Sequence, residues 1–142
     1  MTNNKLENLM STELEVSNSV MGIKLPFLLT EMDNILRKHY PGSTVILFGS
    51  YARGDAHEES DLDICVLVPE LTARRIDMNV KIRGLIRKAL HAVLGTNFAF
   101  DTKLYTYDEF YEGVKYKSTF KYVIQEEGVA FNEQFNRCHK LN

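Results

Sequence analysis

The sequence predicts an α+β protein in which helices cover a small mixed sheet. Three short runs rich in β-branched and aromatic residues alternate with helical patterns, in the order helix, strand, short helix, strand, long helix, strand, helix. The chain has 142 residues, of which 44% are hydrophobic and 25% charged, so it contains enough apolar material for the core of one domain. We expect that domain to span residues 21–142.

The first helix follows a polar N-terminal segment. Residues 1–20 are rich in Asn, Ser, Thr and Glu, which predicts an N-terminal extension that is disordered or forms a marginal helix. A clear helical pattern starts at Ile23, with Pro26 suited to the first turn and the Tyr-Pro-Gly sequence at residues 40–42 as its end. The apolar residues of this helix fall on one face: Leu25, Leu28, Leu29, Met32, Ile35 and Leu36.

Two short apolar runs on either side of a polar loop predict a pair of buried strands. The first is Thr44–Phe48, which is too short for a globular helix and rich in β-formers, and Gly49 ends it. Residues 50–54 predict a short helical turn. The second strand is expected over residues 61–68 and ends at Pro69.

A long amphipathic helix is predicted over residues 72–94, with Thr72 as its N-cap and Gly95 as its C-cap. Residues 97–105 predict a third strand that contains Asp101. The apolar stripe of the long helix must pack on the sheet, and it has the clearest helical period in the chain: Met78, Ile82, Leu85, Ile86, Ala89, Leu90 and Val93.

The C-terminal part of the domain is predicted to be mainly helical. Residues 107–127 have a helical pattern in one or two pieces, with Asp108 and Glu109 suited to a first turn. Residues 129–131 predict a short strand after Gly128.

The charge balance argues against one class of function. Seventeen Lys and Arg residues against nineteen Asp and Glu residues give a formal charge of −2, so no overall positive field exists for general nucleic-acid binding. No early apolar run has the length of a signal-peptide core or a membrane span, and the first segment contains acids that signal peptides avoid. We therefore expect a cytoplasmic protein with no membrane partner.

The acidic residues at the start of the second strand predict a metal site. Side chains two residues apart in a strand point to the same side, so Asp61 and Asp63 share one face while Leu62 and Ile64 point into a core. Two carboxylates this close repel each other unless a cation lies between them. Oxygen ligands of this kind suit Mg²⁺.

The Gly49–Ser50 pair predicts a phosphate site beside the two aspartates. If the first two strands are antiparallel, the end of one lies beside the start of the other, and this pair comes next to Asp61 and Asp63. Gly49 has no side chain where the backbone must approach a ligand, and Ser50 offers a hydroxyl and a backbone N–H. A phosphate site next to a magnesium site indicates a nucleoside triphosphate.

This combination resembles a known family. Gly49-Ser50, ten further residues and then Asp61-Leu62-Asp63 are similar to the signature of the DNA polymerase β-type nucleotidyltransferase superfamily. Within that superfamily, GSYARG at residues 49–54 followed by SDLDI at residues 60–64 resembles the minimal, MNT-type branch. The layout of residues 23–131 is similar as well.

The resemblance implies the polymerase β-type fold and a set of site residues. Asp61 and Asp63 would bind two Mg²⁺ ions, and the Gly49–Ser50 turn would hold the β- and γ-phosphates of the nucleotide. A third carboxylate in such sites comes from a following strand. Asp101 is the matching candidate, because it is the only acid in the apolar run at residues 98–105.

Two basic residues near this site each have two interpretations. Arg53 either contacts the triphosphate or only balances the loop acids Asp55 and Glu58. Lys103 likewise either contacts the triphosphate or only balances nearby acids.

The resemblance also implies a reaction and a partner. Proteins similar to the MNT type are often paired with a HEPN-family toxin, and they transfer AMP from ATP to a tyrosine of that toxin, which makes them antitoxins. We therefore expect an Mg²⁺-dependent protein adenylyltransferase with ATP as substrate and a HEPN-family partner.

Two alternative functions stay open. One is a stand-alone nucleotidyltransferase of a small molecule such as an antibiotic, with an acceptor pocket at a homodimer interface or among the C-terminal helices. The other is a non-catalytic antitoxin that neutralises its partner by contact.

Overall fold

In a computed structural model of the protein, residues 19–130 are described. Residues 1–18, most of the predicted extension, lie outside the described residues, as does Phe131 of the predicted short strand. The elements, which follow the predicted alternation from the first helix onwards, are β1 (Ser19–Val20), β2 (Ile23–Lys24), α1 (Leu25–His39), β3 (Thr44–Phe48), α2 (Gly49–Arg53), β4 (Leu62–Val68), α3 (Arg75–Leu94), β5 (Phe100–Thr106), α4 (Tyr107–Gly113) and α5 (Phe120–Glu127).

A three-stranded mixed sheet organises the fold, as predicted. Its strand order is β3-β4-β5, with β3 antiparallel and β5 parallel to β4. The long helix α3 provides the crossover between the two parallel strands, which a parallel pair requires. The antiparallel pairing of β3 and β4 confirms the prediction for these two strands.

Both faces of the sheet are covered, so its strands are apolar on both sides. On one face, residues such as Ile64 and Val66 pack with α1 and α3 into the larger core. On the other face, Cys65 and Leu67 pack with Phe110 of α4 and Ile124 of α5 into a smaller core. Alternate residues of β4 thus belong to different cores, because successive strand side chains point to opposite faces.

A small hairpin at the start of the described region was not predicted. Strands β1 and β2 pair antiparallel around Met21 and Gly22, both of which have positive φ angles, of 51° and 81°. Two central residues with positive φ are typical of the tight turns that connect such hairpins. Val20 is buried in the larger core, although the sequence assigned it to the extension.

The long helix begins later than predicted, and Thr72 is not its N-cap. Helix α3 starts at Arg75, after Arg74 in an extended conformation with no side-chain cap. The backbone N–H of Thr72 instead donates to the sulfur of Met78 at 3.3 Å. Gly95 ends the helix with a φ of 76°, as predicted.

The third strand is also shorter than predicted, and the reason lies in its neighbour. Strand β4 begins at Leu62, whose register partner is Phe100, so residues before this pair have no ladder to join. Residues 129–131 were predicted as a strand, but the described part contributes one bridge. Val129 and Leu47 exchange two backbone hydrogen bonds of 2.8 and 2.9 Å there.

The predicted C-terminal helical region forms two pieces with separate caps. Thr106 begins α4 in a capping box with Glu109, and Thr119 accepts from the backbone N–H of Tyr122 at the start of α5. None of the helices in residues 19–130 is both long enough and apolar enough to cross a membrane.

The packing of α3 on the sheet is tested by a pair of truncations on its two faces. Ile82 is fully buried and Val80 is 67% exposed. We expect Ile82→Ala to lower the free energy of unfolding by about 2–5 kcal/mol, because it leaves a cavity in the larger core. The control Val80→Ala should change the free energy of unfolding by about 0.5 kcal/mol or less. Urea unfolding of both variants would show this difference, and equal destabilisation would contradict the orientation of α3.

Candidate active site

The register of the sheet places two of the predicted site residues side by side. Phe48 at the end of β3 is the partner of Asp63, and Asp63 is in turn the partner of Asp101 on β5. Partners on adjacent strands present their side chains to the same face of a sheet. Phe48, Asp63 and Asp101 therefore form a row across the sheet, which we call the acidic row. Asp61 lies just before β4, two residues from Asp63.

The predicted Gly49–Ser50 turn lies directly against this row. Gly49 has a φ of 76° and is buried, and a Cβ atom at this position would overlap the carboxylate of Asp63. Both the backbone conformation and the close approach require glycine. The turn opens the short helix α2, so Ser50 is in the first turn of that helix.

Asp63 lies in an environment that disfavours its charged form. Burial raises the pKa of its carboxyl, and the negative charges of Asp101 and Asp61 raise that pKa further. Arg53 opposes this effect, while Glu127 adds to it. The predicted group of three aspartates, Asp61, Asp63 and Asp101, thus lies close enough for the charges to repel one another. The nearby cations do not cancel this repulsion.

The two basic residues of uncertain role are both paired with acids. Arg53 Nε donates to Asp55 at 3.2 Å, and Arg53 Nη1 donates to Glu127 at 3.0 Å. Lys103 Nζ lies 3.6 Å from a carboxylate oxygen of Asp101. Arg53 thus balances acids in this structure, and its partners are Asp55 and Glu127, not the predicted Glu58.

Glu127 is the site residue that sequence analysis missed. Its Oε1 accepts a hydrogen bond of 2.9 Å from the backbone N–H of Gly49, and its side chain is only 18% exposed. It belongs to the last turn of α5, far from the motif in sequence. One signal existed, because an acid is unfavourable at the negative C-terminal end of a helix.

The start of α5 forms a wall beside the acidic row. The ring of Phe120 packs edge-on against Phe48, with the ring centroids 5.6 Å apart, and Lys103 Nζ lies 5.9 Å from the Phe120 centroid. Phe120 is nevertheless 48% exposed. This exposed aromatic surface next to charged groups is the second feature of the site that the sequence did not reveal.

The carboxylates are oxygen ligands of a type that suits a metal ion, but their side chains do not converge on one point. Within residues 19–130, no three Asp, Glu, His or Cys side chains converge closely enough to hold a metal ion as they stand. Oxygen donors of this type are those that Mg²⁺ prefers, and a cation would relieve the repulsion around Asp63. In chemical type, the donor set of Asp61, Asp63 and Asp101 thus fits Mg²⁺.

Comparison with known proteins agrees with the motif. A model of the nucleotidyltransferase domain family matches residues 29–130. The chain is 44% identical over 48 residues to "Putative protein adenylyltransferase MJ1305" of Methanocaldococcus jannaschii, a match that covers 34% of this chain and 33% of that protein. It is 35% identical over 78 residues to "Putative protein adenylyltransferase MJ0604" of the same organism, covering 54% of this chain and 78% of that protein. The chain thus spans about a third of the length of the first of these relatives.

Two solved toxin–antitoxin structures were also found. One contains AMP-PNP and has 18% identity, a TM-score of 0.44 and coverage of 79% of this chain and 81% of that chain. The other is a mutant of MntA-HpeT with 18% identity, a TM-score of 0.46 and coverage of 79% and 80%. Both TM-scores are too low to support an argument about this chain. The family match over residues 29–130 is sufficient by itself, and the chain belongs to the nucleotidyltransferase domain family.

Proposed function

We propose that this protein is an Mg²⁺-dependent nucleotidyltransferase that transfers AMP from ATP to a hydroxyl group. The observation that carries this proposal is the acidic row, in which Asp63 stands beside Asp101 and directly against the Gly49–Ser50 turn. A phosphate-binding turn and hard oxygen ligands at one point are what a metal-bound nucleoside triphosphate requires. The match to the nucleotidyltransferase domain family supports the same activity.

The chain's own residues divide the substrate between them. The hydroxyl and backbone N–H of Ser50, with the backbone of Gly49, bind the β- and γ-phosphates. Arg53 lies one turn further along α2 and has two guanidinium nitrogens already engaged with carboxylates, so it can engage phosphate oxygens in the same way. This binding orients the α-phosphorus towards Asp63 and Asp101.

Asp61, Asp63 and Asp101 would hold two Mg²⁺ ions. When bound, these ions would neutralise charge at the α-phosphate and make the acceptor hydroxyl more acidic. Asp101 has to release Lys103 for this purpose, and their separation of 3.6 Å with both side chains well exposed makes that a weak tie.

The reaction is a substitution at the α-phosphorus. The acceptor oxygen forms a bond to that phosphorus while the bond to the oxygen bridging to the β-phosphate breaks. Pyrophosphate leaves, and the hydroxyl proton passes to solvent. In this proposal Asp63 and Asp101 act at the reacting centre, so their loss should affect the reaction more than the fold.

We propose a protein tyrosine as the acceptor, in a partner of the HEPN toxin family. Two observations support a protein acceptor: the resemblance of the GSYARG and SDLDI motifs to the MNT-type branch, and relatives that are named as protein adenylyltransferases. The test is incubation of the chain with labelled ATP and Mg²⁺, with and without the product of an adjacent helical-protein gene. Label on that protein is expected, and label only on small molecules would contradict the acceptor.

Replacement of Asp61 or Asp63 tests the role of these carboxylates in the reaction. Asp61→Asn and Asp63→Asn should each lower Mg²⁺-dependent AMP transfer by at least ~100-fold, because each removes a charged ligand from the reacting centre. The melting temperature should be unchanged or higher, since the replaced carboxylates repel their neighbours. Label transfer and circular dichroism measure the two effects.

A matched control for these variants lies at the other end of β4. Glu70→Gln removes one exposed acid just after the strand and should leave AMP transfer unchanged. Full activity of Asp63→Asn, or equal losses in all three variants, would refute the proposed site.

The raised pKa of Asp63 makes the stability of the protein depend on pH. Because the pKa of Asp63 is raised in the folded state, its ionisation at neutral pH destabilises the folded state relative to the unfolded chain. Asp63→Asn should therefore raise the melting temperature at neutral pH in EDTA. The gain should shrink as the pH falls through the folded-state pKa, and vanish below the ordinary value of 3.8, where both states are protonated. A gain that grows towards acid pH would contradict this explanation.

A further inference from the structure

The carboxylate of Glu127 occupies groups that the proposed function assigns to phosphate. Its Oε1 accepts from the Gly49 N–H at 2.9 Å and from Arg53 Nη1 at 3.2 Å. Its Oε2 accepts from the same Arg53 nitrogen at 3.0 Å. The anionic side chain of Glu127 thus bridges Arg53 and the backbone of the Gly49–Ser50 turn (the phosphate turn).

We propose that Glu127 is an internal competitor of the nucleotide, which holds the phosphate turn in the free protein and must leave it when the triphosphate binds. This inference rests on the proposed function, because it concerns the same turn. It assigns Glu127 a role in setting nucleotide affinity that neither the motif nor the family match predicts.

The charges around Glu127 favour competition over a purely structural tie. The site already contains Asp61, Asp63 and Asp101, and the charge of Glu127 acts on Asp63 in the same unfavourable sense as theirs. A triphosphate bound at Gly49 would place further negative charge next to this carboxylate. Two anions cannot share one N–H group at low cost, so the stronger ligand displaces the weaker.

The groups that Glu127 holds can be released without disturbing the fold. Arg53 has a second acidic partner in Asp55, so it stays paired when Glu127 leaves. Glu127 is the last residue of α5, between Ile124, which is buried in the smaller core, and Val129, which is hydrogen-bonded to Leu47. Both neighbours are anchored independently, so rotation of the Glu127 side chain is sufficient.

The test compares nucleotide affinity in three forms of the full chain. Glu127→Gln keeps the shape of the side chain and removes its charge, and Glu126→Gln is the matched control on the exposed side of the same helix turn. Isothermal titration with AMP-PNP and Mg²⁺ should show about twofold to fivefold tighter binding for Glu127→Gln, the range expected for removal of one partly exposed charge. Glu126→Gln should bind like the wild type.

Each other outcome overturns the inference. Weaker binding by Glu127→Gln would mean that Glu127 positions Arg53 for the phosphates, and unchanged binding would mean that it does not meet the nucleotide. If the wild type itself fails to bind AMP-PNP with Mg²⁺, the proposed function fails and the inference fails with it. Circular dichroism verifies folding, and Glu127→Ala replaces Glu127→Gln in the comparison if the latter does not fold.

Discussion

The close approach of Gly49 to the carboxylate of Asp63 is the contact on which the rest of the site depends. Antiparallel pairing of β3 and β4 brings the end of one strand to the start of the other, and a side chain at residue 49 would overlap the carboxylate. The positive φ of Gly49 then turns the chain into α2 at once. One glycine therefore lets the phosphate turn and the acidic row occupy the same place.

This arrangement concentrates negative charge at a cost to the fold. Asp61, Asp63, Asp101 and Glu127 lie close enough to interact, and Arg53 and Lys103 are the cations that contact them. Repulsion of this kind destabilises a free protein but makes binding of a cation more favourable. Active sites are commonly less stable for this reason. In the proposed reaction, the excess negative charge serves to bind Mg²⁺.

Helix α5 connects this electrostatic problem to the rest of the molecule. Phe120 at its start flanks the acidic row, Glu127 at its end reaches the phosphate turn, and Ile124 between them is buried in the smaller core. The middle of the helix is thus fixed while both ends face the site. Such a helix can respond to a bound nucleotide at its end without loss of the packing that holds it.

The sequence by itself determined the order of the elements from α1 onwards, the stripe of α3 and the Gly49, Ser50, Asp61 and Asp63 motif. These features are local, because strand alternation, helical period and motif spacing are all read over a few consecutive residues. The tertiary structure alone decided the pairing of Asp63 with Asp101, the start of β5, the hairpin before α1 and the contact of Glu127 with Gly49. Each of these depends on which distant segments meet, and burial and hydrogen bonding between such segments leave no periodic pattern in the chain.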